Sequence, residues 1–476
     1  MTLTTTVTSQ SEYTAATHND DIARVKIKDC AIEIKGKAVK HTLLGPEGHA
    51  IVWNGACIVV QDGGYADVRD EGRASVEAGG RATIRSCGYA SVEYGGSALV
   101  KAGGSATVWN GGSVVLLKGG KASVHVGGHV LVEAGGEGTV YAGGLASVMY
   151  KGRATVRYKG HADVSSGGHA TVRNGGTATV WGNGDAIAEQ GGDVTVETEG
   201  HAEVSAGGHA TVNDGGKATV TAGGDATVNS GGFAITQDGG RATVKEGGHV
   251  VVYSSSHAVV EDGGRATVKK GGDAIVESGG LVTVKAGGAA LVRDGGHAEV
   301  HSDGSVTVES GGVANVDLGG HAALDPGATA YLLSPRSEVT GPGTQINLFE
   351  TGLDDPHIWA CFTRAKVSED NRVLLYKALQ DNLISGREYN RPTQWVTSGV
   401  VVCDDFSDER VCGGGLHLSP TPESAMRFDR MATRMLLCEA SLEDIIPLGN
   451  TDSIPKCKAP QVTVLREVDL NGSELD

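Results

Sequence analysis
The chain is short of the residues from which wide cores are built. Of its 476 residues five are Phe, five Trp and eleven Tyr, against 74 Gly. So little aromatic bulk excludes a broad packed interior over most of the length, while Ala and Val are too abundant for a disordered chain. A thin core of small aliphatic side chains is what this composition can fill. No stretch approaches the ~20 apolar residues of a membrane-spanning helix. The start, MTLTTTVTSQSEYTAATHNDD, has neither the basic opening nor the apolar run of a secretory signal. A soluble cytoplasmic product, or one built into a virion, is therefore expected. The eight cysteines (Cys30, Cys57, Cys87, Cys361, Cys403, Cys412, Cys438, Cys457) are then expected as reduced thiols.

A basic stripe is missing too. The net charge of −17 divides into +1 for residues 1–40, −10 for 41–340 and −8 for 341–476. Phosphate binding needs clustered Lys and Arg, so free nucleic acid is not an expected partner. The acidity is concentrated, since residues 41–180 sum to +2 and 181–340 to −12. That polarity could steer a basic partner, although a solvated acidic face is its commoner meaning.

What is present is a repeat. From Glu47-Gly48 to Gly327-Ala328 a glycine pair, or a small variant of it, recurs at every eighth position without insertion or deletion, as in GGRATIRS, CGYASVEY and GGSALVKA. The fourth residue of each octad is nearly always Ala (Ala82, Ala90, Ala98, Ala106) and the sixth Val, Ile or Leu (Ile84, Val92, Val100, Val108), with polar residues between. Alternation with period two describes a strand with one buried face. The glycine pair supplies positive φ for a corner. One such strand cannot bury its face alone, so octads must coil and stack. Two octads per coil would set Ala of one wall against Val of the other. Three would leave a triangular interior that needs larger residues, and these are scarce. The expected fold is therefore mainly β: a two-sided β-solenoid of about 16 residues per coil, over 47–328. Residues 1–46 are expected as a disordered N-terminus and a solenoid cap, the latter formed by the glycine-poor, strand-like IARVKIKDCAIEIKGKAVKHTLL. Residues 329–346 are expected as the solenoid end and a linker, with Pro326, Pro335 and Pro342 breaking strand pairing.

Sixteen-residue coils would stack Thr179, Thr195, Thr211, Thr227 and Thr243 in one outward ladder, and Thr139, Thr155 and Thr171 in another. In this the frame resembles ice-binding and ice-nucleating solenoids. Those proteins carry a two-dimensional Thr array, whereas charged residues flank the Thr here. Ten histidines take the third octad position (His49, His129, His161, His169, His201, His209, His249, His257, His297, His321), yet no two are 16 residues apart. A zinc or nickel ladder is therefore not expected. Calcium is not expected either, because the corners lack the GGxGxD pattern.

From Asn347 the composition turns globular, and an α+β domain is expected over 347–476. Val373–Leu379, Val400–Val402, Met435–Cys438 and Gln461–Val468 read as strands. A helix opens at Thr421-Pro422, with Thr as cap, and should run to about Met431. The succession LYKAL, CGGGLHLSPTPESA, LEDIIPL and VTVLREV resembles a small domain of uncharacterised actinobacterial and bacteriophage proteins, over Val373 to Val468. The resemblance brings no activity with it. Cys403, Cys412, His417, Cys438 and Cys457 are metal-ligand types, but they lack paired C-x2-C knuckles, so neither a metal nor a cofactor is expected. Tyr376, Arg387, His417 and Glu423 are the residue types of a transferase or toxin site, with no spacing that fixes a nucleophile or a base. The expected function is a non-enzymatic structural or interaction scaffold, phage-related, that meets a protein partner or itself. The alternative is an effector whose catalytic C-terminal domain rides on a repeat stalk.

Overall fold
The computed structural model describes residues 3–19, 22–35, 41–386, 392–449 and 454–475, so Arg387 lies outside the described residues. The protein is mainly β, with 47% strand and 7% helix, and its dominant element is a β-solenoid of about 21 turns. The chain divides into two compact units: Met1–Ala298 with Asp303–Thr307, and Glu299–Ser302 with Val308–Asp476.

In the first unit each octad yields one four-residue strand, such as Arg81–Ile84, Tyr89–Val92, Ser97–Val100 and Ser105–Val108. A strand pairs in parallel with the strands two octads away: Tyr89–Val92 with Ser105–Val108, and Arg81–Ile84 with Ser97–Val100. Successive octads therefore alternate between two walls, and a coil holds two octads. We name the walls A (containing Tyr89–Val92) and B (containing Ser97–Val100). Register is unshifted, so Ala90 lies beside Ala106 and Val92 beside Val108. These side chains point inward and are buried, with Val92 and Val108 at 0% exposure. A core only two side chains deep per strand is continuous because each layer repeats the one before it.

The two corner residues are not equivalent. The first takes the left-handed backbone, as Gly191 does at φ 75°. Nine octads place another residue there, among them Glu71 (φ 68°) and Lys159 (φ 66°), so positive φ alone does not demand glycine. The second position departs from glycine only at Ala56, Ser256 and Ala328. Its reason is proximity: a Cβ on Gly192 would stand 2.1 Å from the Val172 carbonyl oxygen, and one on Gly88 2.6 Å from that of Val68. Corner backbone is satisfied coil to coil as well, with Gln190 N donating to Ala206 O and Gly191 N to Gly207 O, each at 3.0 Å.

Residues expected to be disordered at the N-terminus instead carry structure. Leu3–Val7 pairs with Ile22–Ile27, and a helix over Gln10–His18 is capped by Ser9, whose hydroxyl accepts from Glu12 N at 3.3 Å. Tyr13 and Ala16 of that helix are buried, and the Tyr13 hydroxyl lies 3.3 Å from Thr42 Oγ1. A polar-looking segment is ordered because two well-spaced side chains anchor it.

In the second unit the prolines do not end the pairing. Pro326, Pro335 and Pro342 fall in corners and bends, where no ladder donor is needed, and Thr329–Leu332 goes on to pair with Thr344–Asn347. Beyond Asn347 an antiparallel sheet runs in the order Arg372–Leu379, Arg434–Ser441, Gln461–Val468, Gly399–Val402. A second sheet joins Leu416–Leu418, Lys456–Ala459 and Ile446–Leu448. Trp359, Trp395, Leu375 and Leu436 fill a core that also takes in Tyr331 of the coil, which meets Phe362 edge-on at 6.1 Å. The helix at Pro422 has the expected Thr421 cap, but it stops at Phe428 rather than Met431. Asp429 is extended there and its carboxylate accepts from Met431 N at 3.1 Å, a turn that competes with helix continuation.

The wall register makes a direct contrast. Ala210, 4% exposed between Val194 and Ala226, has equivalent neighbours on both sides, so Ala210→Leu should cost on the order of 1–3 kcal/mol by overpacking. His209→Ser beside it, on the outer face, should stay within about 0.5 kcal/mol of wild type. Thermal or denaturant melts check the pair, and the reverse order would exchange core and surface.

Candidate functional surfaces
Because the core is filled by Ala, Val and a few Ile and Leu, chemistry in the first unit falls to the third, fifth and seventh octad positions of the walls and to the exposed corners between them. Each wall position forms a row with one residue per coil. On wall B, Thr179, Thr195, Thr211, Thr227 and Thr243 do stack in consecutive register. Thr139, Thr155 and Thr171 do so on wall A. The wall B row is one residue wide, flanked by residues such as Asp193, Glu197, His209 and Arg241. Asn229 Nδ2 donates to Asn213 Oδ1 at 2.8 Å, and Asn213 Nδ2 to Glu197 Oε1 at 2.9 Å, a side-chain ladder parallel to the backbone one.

Several of the third-position histidines meet carboxylates, while His49 and His249 pack against the rings of Tyr65 and Phe233. His169 lies 3.3 Å from Asp185, His209 3.7 Å from Asp225 and His257 3.6 Å from Asp273, each pair one coil apart. Such exposed pairs contribute roughly 0–1 kcal/mol each, so they tune the surface more than they hold it. On wall A, Trp109, His125 and Tyr141 occupy successive seventh positions as a flat stack, with ring centroids 3.8 and 4.8 Å apart and planes within 10°. Burial between the two rings pushes the His125 pKa down. The stack follows from two facts in the sequence, the period of 16 and the aromatics at 109 and 141, but it was not anticipated.

The C-terminal candidates come together only in part. Tyr376 and His417 lie on adjoining segments: Tyr376 N donates to Ser419 O at 2.8 Å, and Lys377 Nζ to His417 O at 3.0 Å. Burial raises the Tyr376 pKa. Glu423 sits on the Pro422–Phe428 helix with its carboxylate turned to Arg427 Nη2 at 3.1 Å, both side chains exposed. The thiols are dispersed in environment. Cys403 donates to Asp405 Oδ1 at 3.1 Å, Cys412 lies 2.9 Å from Lys456 Nζ, and Cys438 and Cys457 are fully buried. Burial raises the Cys438 pKa to about 12. Among the described residues no group of three or more His, Cys, Asp or Glu side chains could hold a metal ion.

Lysines, which drew no attention in the sequence, organise this unit. Lys458 is fully buried and donates to Val411 O and Gly413 O, both at 3.2 Å, which pins the loop before Leu416. Burial lowers the Lys377 pKa to about 8, with the ammonium 5.2 Å above the Trp395 ring. A depression of about 280 Å³ is lined by Arg410, Cys412, Phe428, Leu448 and Lys456, and neither Tyr376, His417 nor Glu423 reaches it.

No protein-family model matches the chain, and no curated protein matches it. Among solved structures, one similar chain is a hyper-glycosylated TibA fragment, residues 55–350, whose glycosylation TibC catalysed. It is 25% identical and covers 66% of this chain and 95% of its own, at a TM-score of 0.17. A superposition that poor carries no argument about function. Among the described residues no helix is long and apolar enough to cross a membrane.

His417 supplies a pH test of the second unit. Burial, then the charges of Lys377, Lys456 and Lys458, lower its pKa from 6.5 to about 4. Between those values the unfolded chain takes up a proton that the folded chain refuses, so stability must fall as pH drops from about 6.5 to 4. His417→Gln should flatten this part of the melting-temperature profile. An unchanged profile would place the imidazole in water.

Proposed function
We propose that the protein is a non-enzymatic scaffold, an extended β-solenoid surface that presents side-chain ladders to a protein partner or to further copies of itself. The observation that carries this reading is the division of labour within the octad. Inward positions hold Ala and Val with few exceptions, such as Ile84, Leu116 and Thr236, while outward positions change from coil to coil without disturbing register. About fifteen coils at ~4.8 Å give the part of the array in the first unit a length on the order of 70 Å, which suits spacing or display. The resemblance of Val373–Val468 to actinobacterial and bacteriophage domains supports a phage-related setting for the scaffold.

The catalytic alternative has one feature in its favour, the Cys412–Lys456 contact at the 280 Å³ depression. A thiol beside an ammonium can act as a nucleophile, but among the described residues the site's lining holds no base and no orienting third group. The two readings separate in one assay. Incubation of the full chain with nucleotides and nicotinamide cofactors should leave its melting temperature unchanged and the ligands intact. A stabilising shift of about 3 °C or more that disappears in Cys412→Ser would replace the scaffold by an enzyme.

A further inference from the structure
Wall B carries a feature that a solvated strand face does not need. Within four consecutive strands, Ser97–Val100, Ser113–Leu116, His129–Val132 and Leu145–Val148, the outward rows hold Leu99, Val115, Leu117, Leu131, Leu145 and Met149. Leu99, Val115 and Leu131 are direct neighbours in register. Their faces turn away from the core, which is already filled by Ala98, Val114, Val130 and Ala146. Leu145 is 41% exposed and the others are half-buried, with Thr83, Ser147, Lys101 and Glu133 beside them in the same rows. A contiguous aliphatic patch on an outer sheet face marks an interaction surface.

The charges on either side of the patch select the occupant. The two coils before it present Arg69, Arg81, Arg85 and, at its edge, Lys101, with Asp67 held between Arg69 and Arg85. The coils after it present Asp163, Asp193 and Glu197. We propose that wall B seats a second copy of this chain, face to face and antiparallel, about a two-fold axis between Ser113–Leu116 and His129–Val132. The interface is isologous, as the commonest homodimers are.

In that arrangement Val115 faces the partner's Leu131, Arg81 and Arg85 bracket the partner's Asp163, and Arg69 lies over the partner's Trp181, which is 39% exposed. His49 faces the partner's Asp193. A parallel pairing would set basic coils against basic and acidic against acidic. The ten wall B strands from His49–Trp53 to Asp193–Val196 span roughly 45 Å by 16 Å, about 700 Å² per copy, close to the ~800 Å² of a stable interface. This inference rests on the scaffold reading and names its partner.

Sedimentation equilibrium on the full chain tests it. A dimer of the 48.6 kDa chain is expected, weakened about tenfold or more by Leu131→Lys. Thr227→Lys, on the same row but outside the contact, should leave it unchanged. Arg81→Glu with Arg85→Glu should weaken the dimer, and adding Asp163→Arg to the same chain should restore it. All of these positions are outward, and matched melting curves separate lost association from lost folding. A wild-type chain still monomeric at about 100 µM overturns the proposal, as does a dimer indifferent to Leu131→Lys or one that the charge exchange does not restore. A monomer inert toward nucleotides and cofactors would leave the scaffold reading standing and remove only its self-association.

Discussion
At every corner of the solenoid but those of Ala56, Ser256 and Ala328, a glycine at the second position of the pair brings its α-carbon against the preceding coil, in most cases against a backbone carbonyl. The clearance is too small for a methyl group: 2.1 Å at Gly192, 2.2 Å at Gly168 and 2.3 Å at Gly112. This approach sets how closely one coil lies on the next, and the strand ladders and corner hydrogen bonds follow from it. It also explains the strictness of the period. Adding or removing one residue between corners would carry a side chain into that gap and turn the buried face of the strand outward.

The thin core then decides where function can lie. An interior of stacked Ala and Val has no room for a catalytic group or a cofactor, so recognition in the first unit belongs to the outer rows. Those rows are ladders, and a ladder turns a repeated sequence into a linear display: Thr on Thr, Asn on Asn, His on Asp, ring on ring. Departures from the local pattern therefore carry information. The aromatic stack on wall A and the aliphatic patch on wall B lie in the same stretch of coils, ahead of the acidic half. The second unit works differently, with conventional Leu and Trp packing and two lysines withdrawn from water.

Much of this was legible in the sequence, and what was not had a physical reason. The octad alternation and the glycine pair gave the strands and the inward small aliphatic residues, because a period-two pattern with a fixed corner admits few folds. Two octads per coil was only favoured over three, by the scarcity of large residues, and it is the strand register that decides it. The Thr ladders followed from that period. The N-terminal helix was missed because QSEYTAATH has only Tyr13 and Ala16 to bury. The prolines were read as breakers because sequence does not say whether a proline falls in a strand or in a corner. Lys458 and Lys377 were invisible, since burial of a lysine depends on carbonyls supplied from elsewhere in the chain. Tyr376 and His417 do lie on adjoining segments, whereas the helix stagger turns Glu423 toward Arg427 and solvent.

The central claim is the coil of two octads in unshifted register, and disulfide trapping measures it most directly. In the ladder Thr211 and Thr227 are outward neighbours on adjacent strands, at a strand spacing of ~4.8 Å that suits a disulfide. The Thr211→Cys/Thr227→Cys chain should form the 211–227 cross-link on mild oxidation, read by peptide mass spectrometry. The Thr211→Cys/Ile235→Cys chain, with its cysteines 24 residues apart on opposite walls, should not form the corresponding link. Cross-linking of the 24-residue pair in place of the 16-residue pair would contradict the account, because it would require three octads per coil.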